Sequence, residues 1–298
     1  MEAGGKRNLA GIGFMLLGML GMGMVDAFGK WFVTNDYSPI QVIAVRGWII
    51  TLAMLAWALA RGRRHELTTQ RPAAHGVRIA IGICGPLFMF TALAHLPLAD
   101  VTVVIFGSPF VTAALAAPLF AERVGPHRWA AIAIGFIGVA VAMRPGTGLF
   151  RPEILFAVVA GFSFASMNLT ARWLRDTETT FQLVFFLVAG MTLIASAALP
   201  FFWQPVPLVD LGMFVAMAAF TLFGYIFMTR AFVVAPLAVV APFEYTVLIW
   251  AVIWGAVIWG ELPDAFVWSG AAIIVASGLY LLHREARLQK ISAETEPT

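Results

Sequence analysis

Charge is what this chain has least of. Of its 298 residues only 12% are Asp, Glu, Lys or Arg, while 61% are hydrophobic; a soluble domain carries about 25% charged residues. Too few polar groups remain to cover a water-facing surface, so the chain belongs in a membrane. Cysteine is nearly absent: the one thiol, Cys84, sits inside an apolar run, which excludes a disulfide within the chain and leaves the redox compartment undefined. No G-x-x-x-x-G-K-[ST] occurs, which excludes ATP hydrolysis on a P-loop, and H-E-x-x-H, G-x-S-x-G and Cys/His clusters are missing too. The five His are dispersed. The last apolar run has no Lys for a retinal Schiff base. An enzyme is therefore not expected, nor a cofactor, a metal or a nucleic-acid partner.

What the chain does have is apolar runs of about 20 residues, the length a helix needs to cross about 30 Å of hydrocarbon. Breaks at charge clusters and at Pro, Gly or Asn turns divide it into ten spans: 9–33, 39–60, 77–96, 99–121, 128–143, 152–174, 180–200, 209–233, 237–258 and 265–283. The expected fold is an all-α integral membrane protein of ten transmembrane helices. The first run, Leu9–Val33, is longer than a signal-peptide core and lacks a small-x-small cleavage site, so it reads as a retained span. Only Arg61–His75 forms a longer connection, leaving no mass for a soluble catalytic domain. Beyond Arg284 the tail is polar and expected to fray. Lys6, Arg7, Arg61, Arg63, Arg64, Arg71, Arg78, Arg123, Arg128, Arg172, Arg175, Arg284, Arg287 and Lys290 fall on one side, against Arg144 and Arg151 on the other. The excess of positive charge on cytoplasmic connections then places both termini in the cytoplasm of an inner-membrane protein.

The chain repeats itself. Pro97–Glu122 and Pro236–Glu261 both open on Pro-Leu-Ala, both close on Glu, and both precede a Trp, Trp129 and Trp268. The offset, 261 − 122 = 139, also pairs Ala92 with Ala231. At slightly larger offsets Lys30-Trp31 matches Arg172-Trp173, and Gln41 matches Gln182. Each half holds five spans, residues 1–146 and 147–290, with a polar tail at 291–298. An odd number of spans forces the second copy to sit upside down, an inverted-topology repeat of the kind that supplies two conformations opening to opposite sides.

Pro97-Leu98-Ala99, Pro109, Glu122, Trp129, Gly135 and Gly138 in the first half, and Pro236-Leu237-Ala238, Glu261, Trp268, Gly270 and Gly278 in the second, carry a resemblance over nearly the whole chain. It resembles the EamA-type branch of the drug/metabolite transporter superfamily, and within it the YddG-type exporters of amino acids. The resemblance implies a secondary membrane transporter that exports amino acids, aromatic ones and other small amphipathic metabolites included, by alternating access. The second copy departs from the first: Leu248 stands where Pro109 does, and Pro242 and Glu244 replace Val103 and Ile105.

Charges inside the spans are the sharpest candidates, because each costs about 2.5–3.5 kcal/mol or more at mid-bilayer unless it faces a partner or water. Asp26 and Lys30, one helical turn apart, can pair on one helix face, and Arg46 enters at a similar depth. The three either form a buried ion network or leave one carboxylate free for an ammonium group or a proton. Glu244 follows Pro242, whose missing N–H weakens the turn before it. It either pairs with Arg230 to fasten a gate or serves substrate or proton directly. Asn168 aligns with Asp26 and suits a polar headgroup or a bridge between helices. Phe90, Trp31, Met167, Tyr225 and Tyr245 are candidates for an adaptable apolar wall, and Pro109, Pro236 and Pro242 for hinges. Glu261 reads as a helix-end residue, and Gly11, Gly18 and Gly21 as helix-packing positions.

Two rivals remain beside amino-acid export: an exporter of drugs or other metabolites of the same superfamily, and a polytopic membrane enzyme acting on a lipid-linked substrate. The expected partners are an amino-acid substrate and the lipid bilayer.

Overall fold

A computed structural model describes residues 2–120, 125–145, 150–174 and 176–295. Glu122, Arg123 and Arg175 lie outside the described residues. Every regular element among those described is helical, and ten helices are long and apolar enough to span a bilayer: Arg7–Thr34, Pro39–Ala60, Pro72–Leu93, Leu98–Leu119, Pro126–Met143, Ile154–Leu174, Thr180–Phe201, Leu208–Val234, Ala241–Trp259 and Ala265–Arg284. Being even in number and joined by short connections, they bring both termini to one end of the bundle. The opposite end is called the far end below.

Three boundaries move from the expected positions. The third span begins at Pro72 and not at residue 77, because Arg78 is packed inside the protein and does not mark a connection. The ninth begins at Ala241: Leu237–Val240 makes a short helix and Ala241–Tyr245, holding Pro242, a 3-10 turn. The last helix does not stop at Arg284 but runs from Ala265 to Thr295, since nothing between those residues is Pro or Gly past Gly278.

The third and fourth spans are interrupted, and the ninth opens on its 3-10 turn. The third breaks between Pro72–Gly82 and Cys84–Leu93, with Pro86 just beyond. The fourth breaks at Phe106-Gly107, and Pro109 opens the helix that follows. Pro97 caps the fourth span at its start, and Pro236 sits between the eighth and ninth.

Packing runs between the halves. The first span lies along the eighth and the third along the sixth, while the second faces the seventh and the fifth faces the tenth. Exchanging each span for its counterpart five places on turns the first of these pairs into the second and maps the other two onto themselves. The glutamines make the same symmetry visible at side-chain level. Gln41 receives its cap from Ser38 and donates Nε2–H to Gln204 O at 2.7 Å; Gln182 receives its cap from Thr179 and donates to Thr68 O at 2.7 Å. One clasp is at the far end and the other at the terminal end, which is the inversion expected from the repeat.

Close approach is made by small residues, as helices in lipid require. A Cβ on Gly18 would come to 3.3 Å from Gly224 O on the eighth span, and one on Gly224 to 3.3 Å from Gly18 O. At the fifth–tenth crossing a Cβ on Gly138 would meet Gly270 O at 3.0 Å, and one on Gly270 would meet Gly138 O at 2.7 Å. Replacing Gly270 by Val is therefore expected to cost about 1–3 kcal/mol by overpacking and to lower the melting temperature in detergent. Gly212→Ala, where a Cβ meets nothing within 4 Å, is expected to leave it unchanged or slightly higher.

Candidate functional site

A cavity of about 280 Å³ lies between the first, second, third, sixth, seventh and eighth spans. It brings together Asp26, Arg46, Phe90, Met167, Asn168 and Tyr225, six residues drawn from five different spans. Local sequence makes the room. Gly29 lets Phe90 lie against the first span, and Gly47 lets Thr192 approach the second, since a Cβ at either glycine would collide with that side chain. Met22, Met89, Met167 and Met191 supply much of the apolar wall, and unbranched thioethers fit irregular ligands well.

The polar groups are unevenly served. Arg46 lies over the Phe90 ring at 5.7 Å, with Asp26 and Tyr225 as its electrostatic neighbours; its Nε is buried without a hydrogen-bond partner among the described residues. Arg78 was not singled out from the sequence, where it counted as a connection charge. It is only 6% exposed, lines the same cavity, and donates from Nη1 to Met167 O at 2.5 Å and to Thr170 Oγ1 at 3.0 Å. Its Nε is also buried and unpartnered. A buried donor without an acceptor costs about 1–3 kcal/mol, so both guanidinium groups call for a ligand or water. Arg78 can be recognised as a cavity residue only once the third span is extended back to Pro72.

Tyr225, at 40% exposure, stands at the mouth. With Val184 it lines both the cavity and a groove at the terminal end that also holds Met54, Phe181 and Arg230. Arg230 is thus at the groove, exposed, and does not pair with Glu244. That expected tie fails because Pro242 draws Glu244 into the 3-10 turn, packed against the first and tenth spans and away from the groove. The Glu244 side chain makes no hydrogen bond or ion pair among the described residues. Tyr245 and Pro242 line a separate apolar hollow between the fourth, ninth and tenth spans; the Tyr245 ring packs on Phe106 at 5.5 Å. Trp31 packs edge-on to Phe32 and does not reach the cavity.

The expected Asp26–Lys30 pair is also absent. Lys30, 2% exposed, extends toward the far end, where Nζ donates to both Glu261 carboxylate oxygens at 2.5 Å and to Leu96 O at 3.0 Å. Glu261 Oε2 accepts the Leu98 N–H at 3.1 Å, a helix-start donor with no partner in its own helix. Around this tie Arg144 reaches Asp100 at 2.8 Å and Asp264 at 3.1 Å. The Tyr37 hydroxyl donates to Asp210 at 2.6 Å, and burial together with that carboxylate pushes it up to about 12. These ties hold the far end together, and the cavity shares Val184 and Tyr225 with the groove at the terminal end.

The EamA-like transporter family matches residues 9–144 and 151–282 of the chain, one stretch in each half. The chain belongs to the EamA-like transporter family. It is similar to an S-adenosylmethionine uptake transporter of Rickettsia felis, 26% identical over 98% of both chains. A riboflavin transporter of Brucella anthropi is 25% identical over 88% of this chain and 94% of its own. A pseudopaline exporter of Pseudomonas aeruginosa is 29% identical over 67% and 72% respectively. A crystal structure of 20% identity shares the fold, with a TM-score of 0.59 over 89% of this chain and 96% of the other. This EamA-like transporter is a multi-pass inner-membrane protein with ten membrane-spanning helices among the described residues.

In this EamA-like transporter the Lys30–Glu261 tie joins the first span to two connections, at Leu96–Leu98 and at Glu261, and removing one member leaves a buried charge alone. Glu261→Ala is expected to destabilise the purified protein by about 3–5 kcal/mol, discounted for the partial exposure of Glu261. Lys30→Met combined with Glu261→Ala is expected to recover part of the loss, read as a double-mutant cycle of melting temperatures.

Proposed function

We propose that this EamA-like transporter exports small zwitterionic metabolites, amino acids with apolar or aromatic bodies among them, by alternating access. The observation that carries the reading is the placement of Asp26 and Arg46 in one cavity between the halves. A carboxylate there can hold an ammonium group and a guanidinium can hold a carboxylate, while Phe90 and the methionines accept an apolar side chain. Asn168 adds an amide to the polar side of the site, and Tyr225 a hydroxyl at its mouth.

The excess of Lys and Arg on connections at the terminal end supports a cytoplasmic position for both termini. The cavity is then reached from the cytoplasm beside Arg230, and the Lys30 tie closes the outer side as a gate. Pro109, Pro236 and Pro242 stand at helix interruptions and serve as hinges where the two ends part. Glu244, alone on its turn, is the candidate for coupling export to protons; Trp31 and Tyr245 act from outside the cavity, as packing partners of the moving elements. The relatives carry S-adenosylmethionine, riboflavin and pseudopaline by name, so other metabolites of the superfamily are the second reading.

Proteoliposomes loaded with labelled amino acids are expected to show saturable efflux. No saturable flux of any amino acid, in either orientation, removes the amino-acid reading, and flux of riboflavin or S-adenosylmethionine in its place favours the second. Asp26→Asn is expected to raise KM for amino acids about tenfold or more, the worth of a charged hydrogen bond, with little effect on des-amino analogues. For Glu244→Gln the expected result is a flux that no longer varies with pH; an unchanged pH response takes Glu244 out of the mechanism.

A further inference from the structure

The cavity holds one more cation than a simple zwitterion uses. Its charged residues are Asp26, Arg46 and Arg78, so the wall carries two positive groups against one negative. Arg46 and Asp26 already match the two charges of an amino-acid backbone. Arg78 is left over.

We propose that the preferred substrate is an amino acid or amino-acid derivative with a second acidic group, and that Arg78 is the residue that selects it. The inference rests on the reading of the cavity as an amino-acid site and adds the substrate's net charge.

Three observations on Arg78 support it. The side chain is 6% exposed, so its charge has little water to lean on and needs an anion nearby. Among the described residues only Nη1 is engaged, on Met167 O and Thr170 Oγ1, and these two bonds fix the plane of the guanidinium. Nε is buried and has no hydrogen-bond partner among those residues. A guanidinium oriented by one edge presents the rest of its donors in a rigid fork, the geometry that receives a carboxylate. Among the described residues no carboxylate lies there: Asp26, the one acid lining the cavity, is an electrostatic partner of Arg46, and no acid is one of Arg78.

The isosteric pairs glutamate/glutamine and aspartate/asparagine differ in little but the second acid and make the test. In proteoliposomes of the wild-type protein, the acid of at least one pair is expected to have a KM lower than its amide by about tenfold or more, the scale of one charge-assisted hydrogen bond. Arg78→Gln is expected to bring that ratio close to one, and Arg78→Lys, which keeps the charge but not the fork, to leave an intermediate ratio. The readout is the ratio within each protein, so a general loss of flux from disturbed packing at Met167 does not mimic it. Should Arg78→Gln not insert, the wild-type ratios and the melting-temperature shifts given by each acid and amide still decide. Equal constants for acid and amide in both pairs, or a preference that survives Arg78→Gln, overturn the proposal while leaving amino-acid transport standing. Absence of flux for every amino acid instead overturns the reading beneath it.

Discussion

Within hydrocarbon no water is available to the peptide groups, so the backbone has to satisfy itself and leaves the helix only where protein or a cavity takes over. The interruptions of this chain follow that restriction. The break at Ile83 is packed against the sixth span, the one at Phe106-Gly107 against Tyr245 and Val139, and the 3-10 turn at Ala241–Tyr245 against the first and tenth spans. The first span remains one continuous helix from Glu2 to Thr34, and it is the rod against which the eighth span and the ninth-span turn are laid. Because spans pair across the halves, neither five-helix half has a core of its own. The boundary between them is a boundary of sequence and not of packing.

Much of this was legible in the sequence because lipid makes strict demands. Length and hydropathy locate the spans, and the matched Pro-Leu-Ala and Glu positions give the repeat; Gln41 and Gln182, paired at an offset close to that of the repeat, prove to be the same clasp built twice. Five of the eight cavity candidates, Asp26, Phe90, Met167, Asn168 and Tyr225, meet in one space together with Arg46, an ion-pair candidate. What was not legible is partnership. Asp26 and Lys30 stand four residues apart, but a long Lys stem reaches past its own turn to Glu261, 231 residues away. Arg78 was hidden by the opposite effect: a charge near the start of an apolar run looks like a boundary until packing shows that the helix began earlier.

The two ends of the bundle are secured differently. At the far end buried side chains meet in a compact set of charges around Lys30, Arg144 and the acids that face them. At the terminal end the tie between Thr69 and Glu178, 2.6 Å, joins the second connection to the sixth, and His75 lies 3.7 Å from the same carboxylate. The groove holding Arg230 passes beside these contacts and not through them. The departures of the second half from the first, Pro242 and Glu244 for Val103 and Ile105, fall at the turn that leads into the ninth span, so the two copies share a plan without sharing their flexible points.

Cys84 gives this architecture a practical property. It opens the second helix of the interrupted third span, half-buried, with its thiol near Ala80 O. Since the chain has no other cysteine, a spin label or fluorophore attached there would report on the bend at Ile83 in an otherwise unaltered protein, without the background substitutions that spectroscopy of membrane carriers usually demands.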